Sequence, residues 1–315
     1  MEKPFGPGDP SDRRQCPHDP AAAAPFDVVV ACALLTSGQL DRGLRYTVEG
    51  LAGVDAPPDD PAWSQLLELL GQSAFVAGAR RPPRGDAGGP RLLDAVLGLA
   101  PASGIDALRR DWLLEHSSIS RALRRRTLRI AQELERAAAR APGAPVAAFG
   151  AGHARELLLS TAGRAGRIPA TLYDPDPSAV AVAARAVEGL PVAVRRASVS
   201  DVLAGAARGH ACALVYLPSL ADQLPFELVL DVLAAVVTWL RPGGRVVLPF
   251  FTMLPESAFL EWTTDWHPMA RRAPQVSALA RQAVGVATRL EYDTADGLAY
   301  LCLDLPERGS ARPGP

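Results

Sequence analysis

The sequence predicts an α/β protein: a doubly wound, mostly parallel Rossmann-like sheet in the C-terminal half, under an N-terminal helical cap. Three observations predict it. From Phe26 to Arg140 apolar residues recur at helical spacing, as in Trp63, Leu66, Leu67 and Leu70, and again in Leu123, Ile130 and Leu134. A Pro/Gly linker, Ala141-Pro-Gly-Ala-Pro145, ends that region, and after it short apolar runs alternate with helical stretches. The first of these runs leads straight into Phe149-Gly-Ala-Gly-His-Ala-Arg-Glu156, a glycine turn between a strand and a helix.

Residues 1–25 are polar and Pro-rich, with no apolar signal core, and read as a disordered leader. Residues 26–140 form the cap, interrupted at Asp55–Pro61 and at Arg80–Pro90. The second break holds three glycines and three prolines, which leaves a loop as its only form. Residues 146–305 form the sheet domain. Its strand-like runs are Val146–Phe149, Ala170–Tyr173, Val192–Arg195, Ala213–Leu217, Val246–Leu248, Val286–Tyr292 and Leu298–Leu303. The last two flank Thr294-Ala-Asp-Gly297, so the sheet closes on a hairpin and its last strand runs antiparallel. Residues 306–315 read as a frayed tail.

Composition narrows the function classes. With 48% hydrophobic and 21% charged residues the chain is of ordinary globular type. A net charge of −1 supplies no field to hold nucleic acid or an anionic membrane. No segment reaches the roughly 18 apolar residues of a membrane span. Cys16, Cys32, Cys212 and Cys302 show no metal-ligand spacing, so no metal is expected and the thiols read as reduced, in a cytoplasmic chain. A small-molecule substrate is the expected partner, and a homodimer is left open.

The chemistry concentrates around the sheet. Gly150 and Gly152 let the backbone turn tightly and lie against a ligand where a Cβ would clash. The helix that follows offers free N–H groups. Arg155 stands where a pyrophosphate-binding GxGxxG motif places its third glycine, which argues against a dinucleotide. Asp174, 22 residues after Gly152, ends the second strand and suits a pair of ribose hydroxyls. It could instead cap the next helix, although Asp176 is better placed for that. After the third strand, Asp201 could accept from an adenine amino group with Val202 packed on the ring, or could cap a helix. Gly243-Gly244 reads as a structural turn. Glycine loop, Asp174 and Asp201, in this order on these elements, predict a site for S-adenosylmethionine.

These segments resemble a known group. Arg84-Gly85, Ala87-Gly88 and Leu92-Leu-Asp94 look like its cap-loop signature, and Ala154-Arg-Glu156 like its glycine-loop ending. Leu214-Val-Tyr216 with Leu220, Asp222 and Leu224, then Pro242-Gly-Gly244 and Glu261-Trp-Thr-Thr-Asp-Trp266, resemble its later strands. The group is the bacterial extracellular-factor biosynthesis family of methyltransferases, which form 3-hydroxypalmitic acid methyl ester. The resemblance spans roughly Arg80 to Leu303. It implies a seven-stranded class I methyltransferase sheet, a carboxylate O-methylation precedent, and a cofactor set that Arg155 and Tyr216 join. The chain departs from the family at Asp86, Gly89, Phe250, Leu254 and Ser257, positions expected to face the substrate.

Methyl transfer is an in-line displacement, so the protein chiefly positions and desolvates. A carboxylate nucleophile needs no base; a hydroxyl or amine needs one, and Asp265 and His267 are the candidates. His267, before Pro268, could equally just end a helix. Arg84 could clamp a carboxylate or pair with an acid in the cap. Trp262 and Trp266, four apart on one helix face, with Phe250, could form a substrate wall or simple core. In the run Arg124-Arg-Arg126, a solvated helix face, Arg126 could turn inward to the cofactor. Three classes remain open: a small-molecule methyltransferase; an enzyme attacking the cofactor's γ-carbon (aminocarboxypropyl transfer, or cyclisation to azetidine-2-carboxylate) with release of methylthioadenosine; and a non-catalytic binding module.

Overall fold

A computed structural model describes residues 26–52, 54, 59–80, 88–99, 113–208, 210–285, 288–293 and 295–307. Before the sheet come helices α1 (Val28–Thr36), α2 (Leu40–Leu51), α3 (Ala62–Gly71), α4 (Ala74–Ala79), α5 (Pro90–Val96) and the long α6 (Ser118–Arg140). Their starts follow capping chemistry. Asp27 accepts from the Val29 and Val30 N–H groups at 2.8 and 3.2 Å, and Ser117 from Ser120 at 3.0 Å. Gly89 precedes α5, and Pro90 opens it where a missing N–H costs nothing.

The strands are β1 (Val146–Phe149), β2 (Ala170–Asp174), β3 (Val192–Arg196), β4 (Cys212–Tyr216), β5 (Leu240–Phe251), β6 (Thr288–Asp293) and β7 (Leu298–Asp304). They form one seven-stranded sheet in the order β3-β2-β1-β4-β5-β7-β6. Strands β1 to β5 pair in parallel; β7 lies antiparallel between β5 and β6. This is the Rossmann-like sheet with a reversed last strand that the sequence predicts, with β1 in the interior. The expected turn at Gly243-Gly244 falls inside β5, which begins at Leu240. Gly243 has φ +74° and the β4–β5 register shifts there, so the glycines serve an irregularity within the strand.

Alternation along the strands divides the core in two. On one face Ala148, Leu172, Leu214, Tyr216, Val247 and Phe251 share a continuous apolar cluster with the buried residues of α1 to α6. On the other, Ala147, Phe149, Val215, Leu248 and Phe250 pack with α12 (Phe226–Val237) and α14 (Ala273–Val284). The linker turn at 141–145 therefore does not separate two cores: α6 covers the sheet itself. Ion pairs also join α6 to the far end of the chain. Arg121 meets Asp296 at 2.7 Å and Arg125 meets Asp293 at 2.9 Å. Glu133, fully buried, takes Arg129, Arg136 and Arg245, and Arg245 also holds Asp304 at 2.6 Å.

Between the strands lie α7 (Arg155–Leu159), α8 (Thr161–Arg164), α9 (Pro177–Ala186), α10 (Val199–Leu203), α11 (Leu220–Gln223) and α13 (Ser257–Thr263). Helix α13 ends at Thr263 and Thr264 is extended, so Trp262 and Trp266 do not share a helix face and His267 terminates no helix. No helix among the described residues is long and apolar enough to cross a membrane.

Candidate functional site

The order of the sheet reverses at β1, whose neighbours are β2 and β4, and in such sheets ligands sit beyond the strand ends at that point. The chain turns there on Gly150 (φ +74°) and Gly152 (φ +52°). The N–H groups of Gly150 and Ala151 both donate to the Tyr173 carbonyl, at 2.9 and 3.1 Å, which fastens the loop to the end of β2. The Gly152 N–H donates to Asp174 Oδ2 at 2.7 Å, and the Asp176 N–H to Asp174 Oδ1 at 2.9 Å. Asp174 is 7% exposed and its carboxylate is fixed by backbone on both oxygens. Asp176 caps α9, accepting from Ser178 N–H at 2.8 Å, as the sequence favoured.

Gly150, Gly152 and Asp174 border a cleft of about 960 Å³, open solvent at its mouth included. Its roof is the segment Gly88–Pro90, which leads into α5. A latch holds that segment down. The Arg155 fork grips Asp94 of α5 with Nε–Oδ1 at 2.6 Å and Nη2–Oδ2 at 2.8 Å, and His153 Nδ1 lies 2.8 Å from Oδ2. Burial pushes the Asp94 carboxyl up, but Arg155 and His153 outweigh it and hold it below its ordinary value. Pro90 abuts Gly152: a Cβ on that glycine would stand 3.0 Å from Pro90 Cβ. The Trp266 indole lies on Gly88, where a Cβ would come within 2.3 Å of the ring.

The inner wall carries buried charge. Arg126 of α6 is 5% exposed and places Nη1 2.5 Å from Asp222 Oδ2. Its Nη2 has only the Ser219 hydroxyl at 3.4 Å, and its Nε has no partner among the described residues. Burial pushes the Asp222 carboxyl up to about 6 against the pull of Arg126. Glu156, 2% exposed, follows the glycine loop on the same wall; burial pushes its carboxyl up. The remainder is largely apolar: Leu93, Leu123, Phe149, Val199, Leu220 and Leu224.

Several expectations are corrected. Asp201 is the third helical residue of α10 in a capping box with Ser198, whose N–H and hydroxyl it binds at 2.8 and 2.7 Å; it is exposed and does not border the cleft. Val202 is buried in the far-face core, and Val199 reaches the cleft instead. Arg155 holds Asp94 rather than bordering the cleft. Tyr216 is wholly buried at the end of β4; its hydroxyl has no partner among the described residues, and burial raises its pKa well above the ordinary value. Phe250 points into the far-face core, because alternation sends only Phe251 to the cap side. Trp262 is half-buried against the near-face core and Trp266 seats the roof. Asp265 and His267 are both exposed, away from the cleft lining. Arg84 lies outside the described residues. Among those residues no cluster of His, Cys, Asp or Glu could hold a metal ion.

The buried wall leaves two faint traces in the sequence. Arg126 lies between Leu123 and Ile130 on the apolar stripe of α6, and a charge on such a stripe is a readable signal. Asp222, set among Leu217, Leu220, Ala221 and Leu224, is another.

No family model matches the chain, and no curated protein does. Solved structures do. One described as a possible exported protein from Bordetella parapertussis is 20% identical with a TM-score of 0.61, covering 95% of this chain and 99% of that one. An O-methyltransferase family protein from Burkholderia thailandensis is 16% identical with a TM-score of 0.49, covering 90% and 99%. The magnesium protoporphyrin IX methyltransferase from Synechocystis, with bound S-adenosylhomocysteine, is 12% identical with a TM-score of 0.49, covering 67% and 91%. The first likeness shows that nearly the whole chain, N-terminal helices included, has the fold of a solved protein, and a shared fold leaves the chemistry to be argued from the site.

Proposed function

We propose that this chain is an S-adenosylmethionine-dependent methyltransferase acting on a small molecule. The observation that carries the reading is Asp174, held by the Gly152 and Asp176 N–H groups at the mouth of the switch-point cleft. A carboxylate is an acceptor-only, negatively charged group, which suits ribose hydroxyls and repels a 2′-phosphate. The cleft also fits the group elsewhere. Among the described residues, nothing beyond its chain neighbours lies within 4 Å of where a Cβ on Gly150 would stand, which leaves room for a ligand against the backbone there. A largely apolar lining with a few convergent polar groups is that of a small-molecule site.

S-adenosylmethionine, when bound, supplies a methyl group activated by the sulfonium. The residues of this chain do the rest. Asp174 orients the ribose, and the roof at Gly88–Pro90 excludes water, kept down by the Asp94–Arg155 latch. Leu123, Leu220 and Leu224 give the acceptor an apolar wall, which strips solvent from a nucleophile. Among the described residues bordering the cleft, the titratable groups are Arg126, Glu156, Asp174 and Asp176, with no histidine. A carboxylate acceptor suits that set, because it arrives ionised and needs no base.

The test is product analysis. Purified protein is incubated with S-adenosylmethionine and a panel of carboxylic acids and alcohols, and the nucleoside product is identified by mass spectrometry. S-adenosylhomocysteine is expected. Methylthioadenosine would mean attack at the γ-carbon, and absence of both would mean a binding module.

A further inference from the structure

The inner wall of the cleft holds two buried ionisable side chains, one basic and one acidic, that the fold does not fully pair. Arg126 comes from α6 and Glu156 from the first turn of α7, yet both border the same space. Each is at least nine-tenths buried, which is costly for a charge unless something pairs it. Asp222 takes one corner of the Arg126 fork, at Nη1. The Nε–Nη2 edge is left with the weak Ser219 contact and an unpartnered Nε. A guanidinium edge of that kind takes a carboxylate through two parallel hydrogen bonds. The hydrogen bond that favours the ionised Glu156 carboxyl comes from its own backbone N–H, and the neighbouring guanidiniums Arg126 and Arg155 act on it only through charge.

We propose that Arg126 and Glu156 form a subsite for a zwitterionic α-amino-acid head, Arg126 taking its carboxylate and Glu156 its ammonium. The inference rests on the cofactor reading above, since the head in question is that of the cofactor's methionine portion. Asp222 and Ser219 are positioning residues: they hold the fork so that its second edge faces the incoming carboxylate. Arg126 stays paired in the free protein through one corner and gains a second partner on binding. Burial pushes the Glu156 carboxyl up, and an arriving ammonium, as a neighbouring positive charge, favours its ionised form.

The experiment compares two nucleosides that share adenine and ribose and differ in the head. S-adenosylhomocysteine carries it; 5′-methylthioadenosine does not. Calorimetry on the full chain should show wild type binding the first at least about tenfold tighter, the scale of one charge-assisted hydrogen bond. Glu156→Gln keeps the shape and should remove most of that preference. The double variant Arg126→Met with Asp222→Leu should do the same; replacing both members of the buried pair avoids leaving either one of them charged beside a missing partner. Methylthioadenosine affinity should stay within about twofold in both, which a merely structural role would not allow. If wild type binds both nucleosides and the variants keep the wild-type preference, the subsite is refuted while the cofactor reading stands. If wild type binds neither, the cofactor reading falls and the subsite with it.

Discussion

Replacing Asp174 by Ala removes one carboxylate and separates two consequences that can be measured apart. Inside the protein it orphans the Gly152 and Asp176 N–H donors, which now bond its oxygens at 2.7 and 2.9 Å. Both lie at the cleft, where water can partly replace the lost acceptor, so the stability cost is about 1–3 kcal/mol. Toward the ligand it removes a fixed anionic acceptor for the ribose. A hydrogen bond to a charged group is worth about 1.5–3 kcal/mol, and water entering the vacated site recovers part of it. Binding of S-adenosylmethionine should weaken by about 1–3 kcal/mol, roughly 5- to 150-fold. Calorimetry gives the affinity and urea denaturation the stability. Methylthioadenosine, which keeps the ribose, should weaken by the same factor. A folded variant with unchanged affinity for both would refute the ribose assignment. The near-isosteric change Asp174→Asn should not preserve the site, because the new NH2 would face one of the two N–H donors.

Other perturbations test the neighbouring parts. Gly150→Ala meets nothing beyond its chain neighbours among the described residues, so its cost there is that of the positive φ, about 1–2 kcal/mol, with nucleoside affinity falling further than stability; denaturation and titration of the same sample decide it. Asp94→Asn cannot satisfy the Arg155 fork, so the roof should loosen: faster hydrogen exchange in Gly88–Val96 and about tenfold weaker nucleoside binding are expected. Burial pushes the Glu156 carboxyl up and an ammonium beside it pulls it back down, so S-adenosylhomocysteine binding should weaken more steeply than methylthioadenosine binding as pH falls, which titrations over a pH series check. Burial pushes Glu133 up, but Arg245, Arg129 and Arg136 together hold it below 4.5. Its folded value lies under its unfolded one, so its stabilisation is present above about pH 4.5 and lost as pH falls through the folded value. The stability gap between wild type and Glu133→Gln should close over that acid range.

What could be read without coordinates follows from what each signal depends on. The strands were legible because backbone periodicity and glycine punctuation are local, and Asp174 was legible because its place at the end of β2 is set by that backbone. Side-chain direction was less so. Phe250 and Phe251 are equally apolar, and only strand alternation decides that Phe250 faces α12 and α14. Trp262 and Trp266 fit helical spacing, but α13 stops between them. Asp201 met a local competitor, because Ser198 three residues earlier completes a capping box. The pairs that shape the cleft join distant segments, Arg126 with Asp222 and Asp94 with Arg155, and no spacing rule reaches that far.

The position of β7 has a consequence for how the molecule is made. It is the last strand of the sheet to leave the ribosome, yet it lies between β5 and β6 and pairs with both. Until it arrives, β6 has no neighbour in the sheet and β5 offers a bare edge, the arrangement most prone to wrong pairing. Asp293, Asp296 and Asp304, which answer arginines on α6 and β5, arrive with the same hairpin. The seven residues of β7 thus seal the whole assembly in a single late step. A chain stopped before Leu298 should aggregate rather than wait half-folded.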